Sequence, residues 1–586
     1  MLSITALLWL ATLGAVKGEE EAKPENVPSF VPVCETNTFS PPSLGVGITK
    51  FSIEAEIQRK YSTHGGEHRI PGIVRLDICQ VKVHLNHEGT NDDVLVEVWL
   101  PLNRDDWNGR FQGTGGVGVA TGMFGGALGP AVKGGYAASS TDGGHPIEET
   151  NDSTWVLKDD GTIDWNLLTN FATRSLAESV VVGKSITEQF YKEKPKYSYW
   201  NGCSQGGRQG YVLAQQYPHL LDGILANAPA ISLTHLAMAE FWPQLVMKEE
   251  GVWMSTCEFN YFRQKAMESC DMIDGVSDGV IAEPDLCDFD PLHLIGQVIY
   301  CDTPIDRPSS REVEVSRAMA NVVRRIEQGP RTPLKTSLWY GLTHGTSFDI
   351  LASTTLTEQG LRTPKPFPIS TGFIQNFLVK TKDDSFNATR INYADYAALW
   401  AQGNSEFGWL LDADNPDLTS LQASGTKLLT WHGVNDPAIP HQSTVQYRKR
   451  VELLMGGANE VDKFYRLFLA PGVEHCAGGN GPVPIDPLAA LIEWVEDGMP
   501  PETLEAETTT YDGDRVTREL CAWPGVARYM GIADPKRASS WTCHGATERP
   551  EDDWAEEDNS RSSRAGQILD ELKDRLEGLG MGFTIG

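Results

Sequence analysis

The amino-acid sequence predicts an α/β fold built on a largely parallel sheet that is interrupted by one large inserted domain. Three observations carry this. Strand-like and helix-like stretches alternate from Leu167 to Ala228, the rhythm of βαβ units. The rhythm stops near residue 231 and resumes at Lys427, and the residues between are too many for a loop. A Gly202-Cys203-Ser204-Gln205-Gly206 segment falls between a predicted strand and a predicted helix, where a sharp turn needs small residues.

Taken in order, Met1 to Gly18 hold an apolar run, Leu2 to Val16, followed at once by Glu19, Glu20 and Glu21. This reads as a secretory signal peptide cleaved near Gly18, the run being shorter than the ~20 residues a membrane span needs. Residues 19–230 and 423–546 form the expected catalytic domain. Alternating runs at Val74–Leu85 and Val94–Leu100, bounded by Asn, Asp and Gly, predict strands in an early β-rich region. Trp107-Asn108-Gly109-Arg110-Phe111 leads into a glycine loop, Gly113 to Gly118. Leu167–Tyr191 reads as a helix, Lys196–Trp200 as a strand, Gly206–Tyr217 as a helix and Gly223–Ala228 as a buried strand.

Residues 231–422 form the expected lid, with Trp-rich helical stretches, cysteines and Pro-rich turns. Lys427–Trp431 and Phe464–Ala470 are then strand-like, and a helix follows at Pro487–Gly498. Residues 547–586 form an acidic tail in which Ala565, Ile568, Leu569, Leu572, Leu576 and Leu579 recur at helical spacing.

The 586 residues carry 79 acidic and 49 basic side chains, a net charge of −30. That balance argues against nucleic acid or an anionic membrane as partner and suits an exported enzyme. Ten cysteines, an even number, fit an oxidising compartment. Sequons at Asn151 and Asn387 are compatible with glycosylation.

A serine hydroxyl needs a base to take its proton and a third group to hold that base. Trp431 to Pro437 follows one late strand and supplies Asp436; Pro471 to Cys476 follows the next and supplies His475. The order Ser204, Asp436, His475 is that of the α/β-hydrolase triad. His432 and His441, rivals to His475 as the base, share the loop of Asp436, where they either line the site or hydrogen-bond backbone. Asp412 and Asp414 precede their strand and read as surface turn residues, and His145 is either structural or faces the cleft. For the oxyanion, the Gln205 amide begins the helix after the nucleophile, and Gly115 or Gly116 offers a second donor. Cys203 beside Ser204 and Cys476 beside His475 would, if bridged, staple nucleophile to base. In the insertion, Cys270 to Val280 spaces three aspartates and two glycines so that carboxylates and carbonyls could converge on one hard cation, calcium above all. A plain acidic turn is the other reading.

Together these segments resemble the tannase and feruloyl esterase family: Gly-Cys-Ser-Gln-Gly-Gly paired with Glu-His-Cys, Asn-Asp-Pro after a strand, the Trp-Asn-Gly-Arg-Phe lead, and the Cys-Asp…Asp-Gly-Val…Asp-Gly loop. The resemblance runs from about Cys34 to Cys543. It implies an α/β-hydrolase fold with a large inserted lid domain, the Ser204–Asp436–His475 triad, and calcium held in the lid by Asp271, Asp274 and Asp278 with the carbonyls of Val276 and Val280. It also implies disulfides Cys203–Cys476, Cys34–Cys79, Cys270–Cys287 and Cys521–Cys543, which leaves Cys257 with Cys301. The glycine loop departs from the family pattern, which usually carries an asparagine between the middle glycines.

The implied activity is two-step hydrolysis of aromatic acid esters, small or linked to polysaccharide, with no organic cofactor. Feruloyl-type hydroxycinnamoyl esters are expected first and galloyl esters second; a secreted binding protein that has lost turnover is the alternative class. Trp242, Trp253, Trp339, Tyr340 and Trp400 are possible aromatic walls for such an acyl group.

Overall fold

Nine strands form one sheet in the computed structural model, which describes residues 31–45, 47–64, 73–301, 311–383 and 385–545. They are β1 Ile48–His64, β2 Ile73–His87, β3 Val94–Pro101, β4 Arg110–Thr114, β5 Ala137–Thr141, β6 Tyr197–Cys203, β7 Gly223–Asn227, β8 Lys427–Gly433 and β9 Tyr465–Ala470. The order across the sheet is β1-β2-β3-β5-β4-β6-β7-β8-β9. Pairing is antiparallel from β1 to β5 and parallel from β5 to β9. The βαβ rhythm predicts β6 to β9 of the parallel half, while β5 has no such signal. The long β1 went unread, although Phe51, Ile53, Ala55 and Ile57 alternate with Ser52, Glu54, Glu56 and Gln58.

The parallel strands are apolar on both sides because both faces are covered. Trp200, Ile224 and Leu428 join Phe111, Val180 and Tyr211 on one face. Their immediate neighbours Tyr199, Leu225 and Leu429 point the other way, against Leu128, Leu491 and Trp494. The helix Ser175–Tyr191 closes a further core over Val81, Val83, Val96 and Val98 of β2 and β3. It is the end of a longer helical run from Trp165, started by Asp164, whose carboxylate accepts from the Asn166 and Leu167 amides at 3.1 Å each.

Every strand of this sheet lies outside residues 231–422, and that insertion builds its own core from helices that include Trp242–Glu250, Thr256–Cys270, Arg317–Gln328 and Tyr393–Leu411. Val156, Leu157, Ile163, Leu168 and Phe171, which lie outside the insertion, also belong to the lid core. Five disulfides, Cys34–Cys79, Cys203–Cys476, Cys257–Cys301, Cys270–Cys287 and Cys521–Cys543, take up all ten cysteines. No helix among the described residues is long and apolar enough to cross a membrane. The signal segment 1–18 and the tail 547–586 lie outside the described residues.

Candidate active site

Ser204 sits at the turn from β6 into the helix Gln205–Gln216 with φ 64° and ψ −122°, a conformation an L-residue adopts only when its surroundings impose it. The amide of Ser204 donates to the Asn227 carbonyl of β7 at 3.0 Å, and its carbonyl accepts from Arg208 N at 3.0 Å. The flanks leave no room for a side chain: a Cβ on Gly202 would lie 2.4 Å from the Gly206 carbonyl oxygen, and one on Gly207 2.3 Å from that of Asn227. The turn therefore holds the hydroxyl out at the carboxyl end of the sheet.

Asp436 follows β8 and His475 follows β9. His475 Nε2 is 2.9 Å from Ser204 Oγ, and His475 Nδ1 is 2.6 Å from Asp436 Oδ2. The other oxygen of Asp436 accepts from the amides of Ala438 and Ile439 at 2.9 and 2.8 Å. Burial pushes the Asp436 carboxyl up, but the charge of His475 and the hydrogen bonds from His432 and His475 outweigh it and hold the group well below the usual carboxylate range. His475 moves the other way: burial lowers it, and the Asp436 carboxylate more than restores it, leaving the imidazole above its ordinary value. The bridge Cys203–Cys476, 6.0 Å between Cα atoms, joins the residues next to nucleophile and base across the two intervening strands. A cleft of about 600 Å³ opens against this disulfide, with Gly115, Val117, Asn201 and Trp431 among its walls.

The expected oxyanion donors divide. The Gln205 amide lies in the helix's first turn, where no helical carbonyl precedes it to accept. The Gly115 and Gly116 amides are already engaged: Gly115 N donates to the Asn201 carbonyl at 3.3 Å and Gly116 N to Gln209 Oε1 at 3.0 Å. These glycines serve by close approach instead. A Cβ on Gly115 would stand 2.4 Å from Gly206 Cα, and the Gly116 carbonyl accepts from Gly206 N at 2.9 Å. Glycine in a flexible-looking loop signals proximity as well as donation, and only the fold separates the two.

Beside the triad, the sequence assigns no role to Asn435 or Arg208 and leaves His432 open between lining the site and bonding backbone. Asn435 zips the acid loop to the histidine loop, accepting from Gly472 N at 3.0 Å and donating to the lid's His344 carbonyl and Thr346 Oγ1 at 3.2 Å each. Arg208 is fully buried; its Nε donates to Gln205 Oε1 at 2.9 Å and its Nη1 to the Leu411 carbonyl at 3.0 Å, so it ties the nucleophile's helix to the lid. His432, 0% exposed, has Nε2 3.2 Å from Asp436 Oδ2 and 3.0 Å from the Ile439 carbonyl, with Nδ1 2.9 Å from Thr444 Oγ1. It stands behind Asp436, and His475 alone of these histidines reaches Ser204; His441 is buried just before the helix Gln442–Met455.

Other expected residues fall elsewhere. His145 is buried, stacked on Trp155 at 4.0 Å and paired with Thr121 Oγ1 at 2.7 Å, a structural role. Asp412 is no surface residue: its side chain is 6% exposed and accepts from Thr234 N and Oγ1 at 2.9 and 2.8 Å, and burial pushes it up to about 6. Asp414 does pair at the surface, with Arg450 at 3.3 Å. Trp242 and Trp400 are lid core, Trp253 packs against that core, and Trp339 stacks on His235 at 4.9 Å with Tyr340 on its edge. Asn151 and Asn387 are exposed.

In the lid loop, Asp271 accepts from the Gly279 and Val280 amides at 3.0 and 3.1 Å and from Ser277 Oγ at 2.8 Å. Asp274 accepts from Val276 N at 3.0 Å, and Asp278 pairs with Arg518 at 3.1 Å. No three His, Cys, Asp or Glu side chains among the described residues converge as metal ligands. The chemistry still suits a cation, since burial, with the neighbouring charges of Asp278 and Asp271, pushes Asp274 up to about 6.

A family model described as "Tannase and feruloyl esterase" matches residues 79–544. A probable feruloyl esterase of Arthroderma benhamiae is 45% identical over 472 residues, 80% of this chain and 86% of that protein. A tannase of Aspergillus oryzae is 28% identical over 576 residues, 88% of this chain and 95% of that protein. Among solved structures, the tannin acyl hydrolase from Aspergillus niger superposes with a TM-score of 0.78 at 27% identity, covering 87% of this chain and 95% of that one.

Proposed function

The chain belongs to the tannase and feruloyl esterase family, and we propose that it is a secreted serine esterase that cleaves aromatic carboxylic esters, preferring feruloyl-type hydroxycinnamoyl groups. The observation that carries the esterase reading is the unbroken line of hydrogen bonds from Ser204 Oγ through His475 to Asp436. Ser204 Oγ attacks the ester carbonyl as its proton passes to His475 Nε2. Asp436 keeps the other nitrogen, Nδ1, protonated and balances the imidazolium that forms. The Gln205 amide faces the oxyanion, His475 returns the proton to the leaving alcohol, and water repeats the sequence to free the acid. The feruloyl preference rests on the identity to the Arthroderma benhamiae protein. The Aspergillus niger structure favours a second reading, galloyl esters.

Export is supported by the apolar Met1–Gly18 segment and by the pairing of all ten cysteines. The lid loop binds calcium through Asp271, Asp274 and Asp278 with the carbonyls of Val276 and Val280. A cation there offsets repulsion among buried carboxylates and takes no part in acyl transfer.

The test is release of free acid from methyl ferulate and methyl gallate by the purified protein and its Ser204→Ala variant. Ferulate release that the variant lacks is the expected result, a fall of several orders of magnitude. Gallate release alone would transfer the proposal to tannins, and no release from either would overturn it.

A further inference from the structure

We propose that His432 is a positioning residue of the triad, a second imidazole that donates to Asp436 and fixes the carboxylate against His475. The inference rests on reading Ser204, Asp436 and His475 as the working triad. Nε2 of His432 faces two acceptors, Asp436 Oδ2 at 3.2 Å and the Ile439 carbonyl at 3.0 Å, so it carries the hydrogen. Thr444 Oγ1, 2.9 Å from Nδ1, is assigned as donor to that nitrogen and locks this tautomer. The ring is completely buried and cannot turn toward solvent.

Asp436 Oδ2 thus takes two imidazole donors, and Oδ1 takes two amides. Four donors from three directions leave the carboxylate one orientation. The His432 bond also withdraws charge from the same oxygen that His475 uses, and so moderates the basicity of His475. The titratable groups around this pair are His432 and His441 on the acid loop and, from the lid, the buried Glu240, whose carboxyl is pushed up by burial and by the charge of Asp436. A purely structural histidine would account for the burial but gives no reason for Nε2 to face the triad carboxylate.

The experiment compares His432→Phe, His432→Gln and Thr444→Val with wild type, measuring melting temperature and the pH dependence of kcat/KM on whichever methyl ester the enzyme cleaves. Phe keeps a ring without the donor, and Gln restores an N–H. The expected result for Phe is a fall in kcat of about ten- to a hundredfold with KM little changed, the worth of one hydrogen bond to a charged group. Its acidic limb should move to higher pH, because Asp436 then holds the imidazolium of His475 more strongly; Gln should recover both. Thr444→Val, nearly isosteric, should move the limb in the same direction by less, and it decides the matter where Phe does not fold. An unmoved limb in folded Phe or Val protein overturns the proposal, as does activity lost only in step with melting temperature. A wild type inactive on every ester overturns the triad reading instead, which the Ser204→Ala control distinguishes.

Discussion

Gly115→Ala tests whether the glycine loop works by close approach to the nucleophile turn. A Cβ on Gly115 would lie 2.4 Å from Gly206 Cα and 2.9 Å from Gln209 Oε1. An ordinary carbon contact is about 3.5 Å, so one of two backbones must move by about 1 Å. Neither can move alone, because Gly206 N bonds to the Gly116 carbonyl at 2.9 Å and Gly115 N to Asn201 at 3.3 Å. The strain should lower stability by about 1–3 kcal/mol, as overpacking does. It should reduce kcat by about a hundredfold, the scale expected when a 1 Å displacement reaches reacting groups. Initial rates on methyl ferulate, with fluorophosphonate labelling of Ser204, separate chemistry from folding. A folded variant that melts lower yet keeps wild-type kcat would refute the reasoning, since it would mean that loop and turn are independent.

Breaking the staple in Cys203→Ala/Cys476→Ala should lower activity per folded molecule by more than about tenfold while the protein still folds, because neighbouring strands hold the frame and the bridge holds the loop ends. Equal loss of activity and folded protein in a joint rate and circular-dichroism measurement would count against it. The raised His475 must lose its proton to act as base, so the acidic limb of kcat/KM should lie above the ordinary histidine value of about 6.5, and Asp436→Asn should cost roughly 10⁴-fold. His87 is buried between Asp92 at 2.6 Å and Glu178 at 2.9 Å; burial lowers it, but Glu178 and Asp92 leave it raised. Its contribution to stability is full below the unfolded value of about 6.5 and is lost as pH rises through the folded one, so thermal melts should show His87→Gln losing more stability at acid than at alkaline pH. Calcium should raise the melting temperature and a chelator should reverse it, with Asp274→Asn much less responsive; no response in wild type would remove the proposed ion.

Local pattern made much of this protein legible. A buried parallel strand is a short apolar run wherever it lies, so β6 to β9 and the helices after β6 and β9 could be read along the chain. Residues that must occupy special backbone or begin a helix also show themselves, as do Gly202 and Gly206 around Ser204. The resemblance implies four of the cysteine pairs, and the structure has them; Cys257–Cys301, which sequence leaves only as the remainder, is joined in the fold. What escaped depends on which side chain meets which across the fold. Asn435 and Arg208 look ordinary in sequence because their partners lie on other loops or in the lid, and which groups His432 meets, Asp436 and Thr444 among them, is set by the packing of its loop. The Gly115 and Gly116 amides read as free donors until Asn201 and Gln209 were seen to accept from them. Asp412 read as a surface turn until burial against Thr234 placed it inside. Chain order and residue type determined the chemistry available here, whereas hydrogen-bond partnership is a property of distance in space, which only the packed tertiary structure decides.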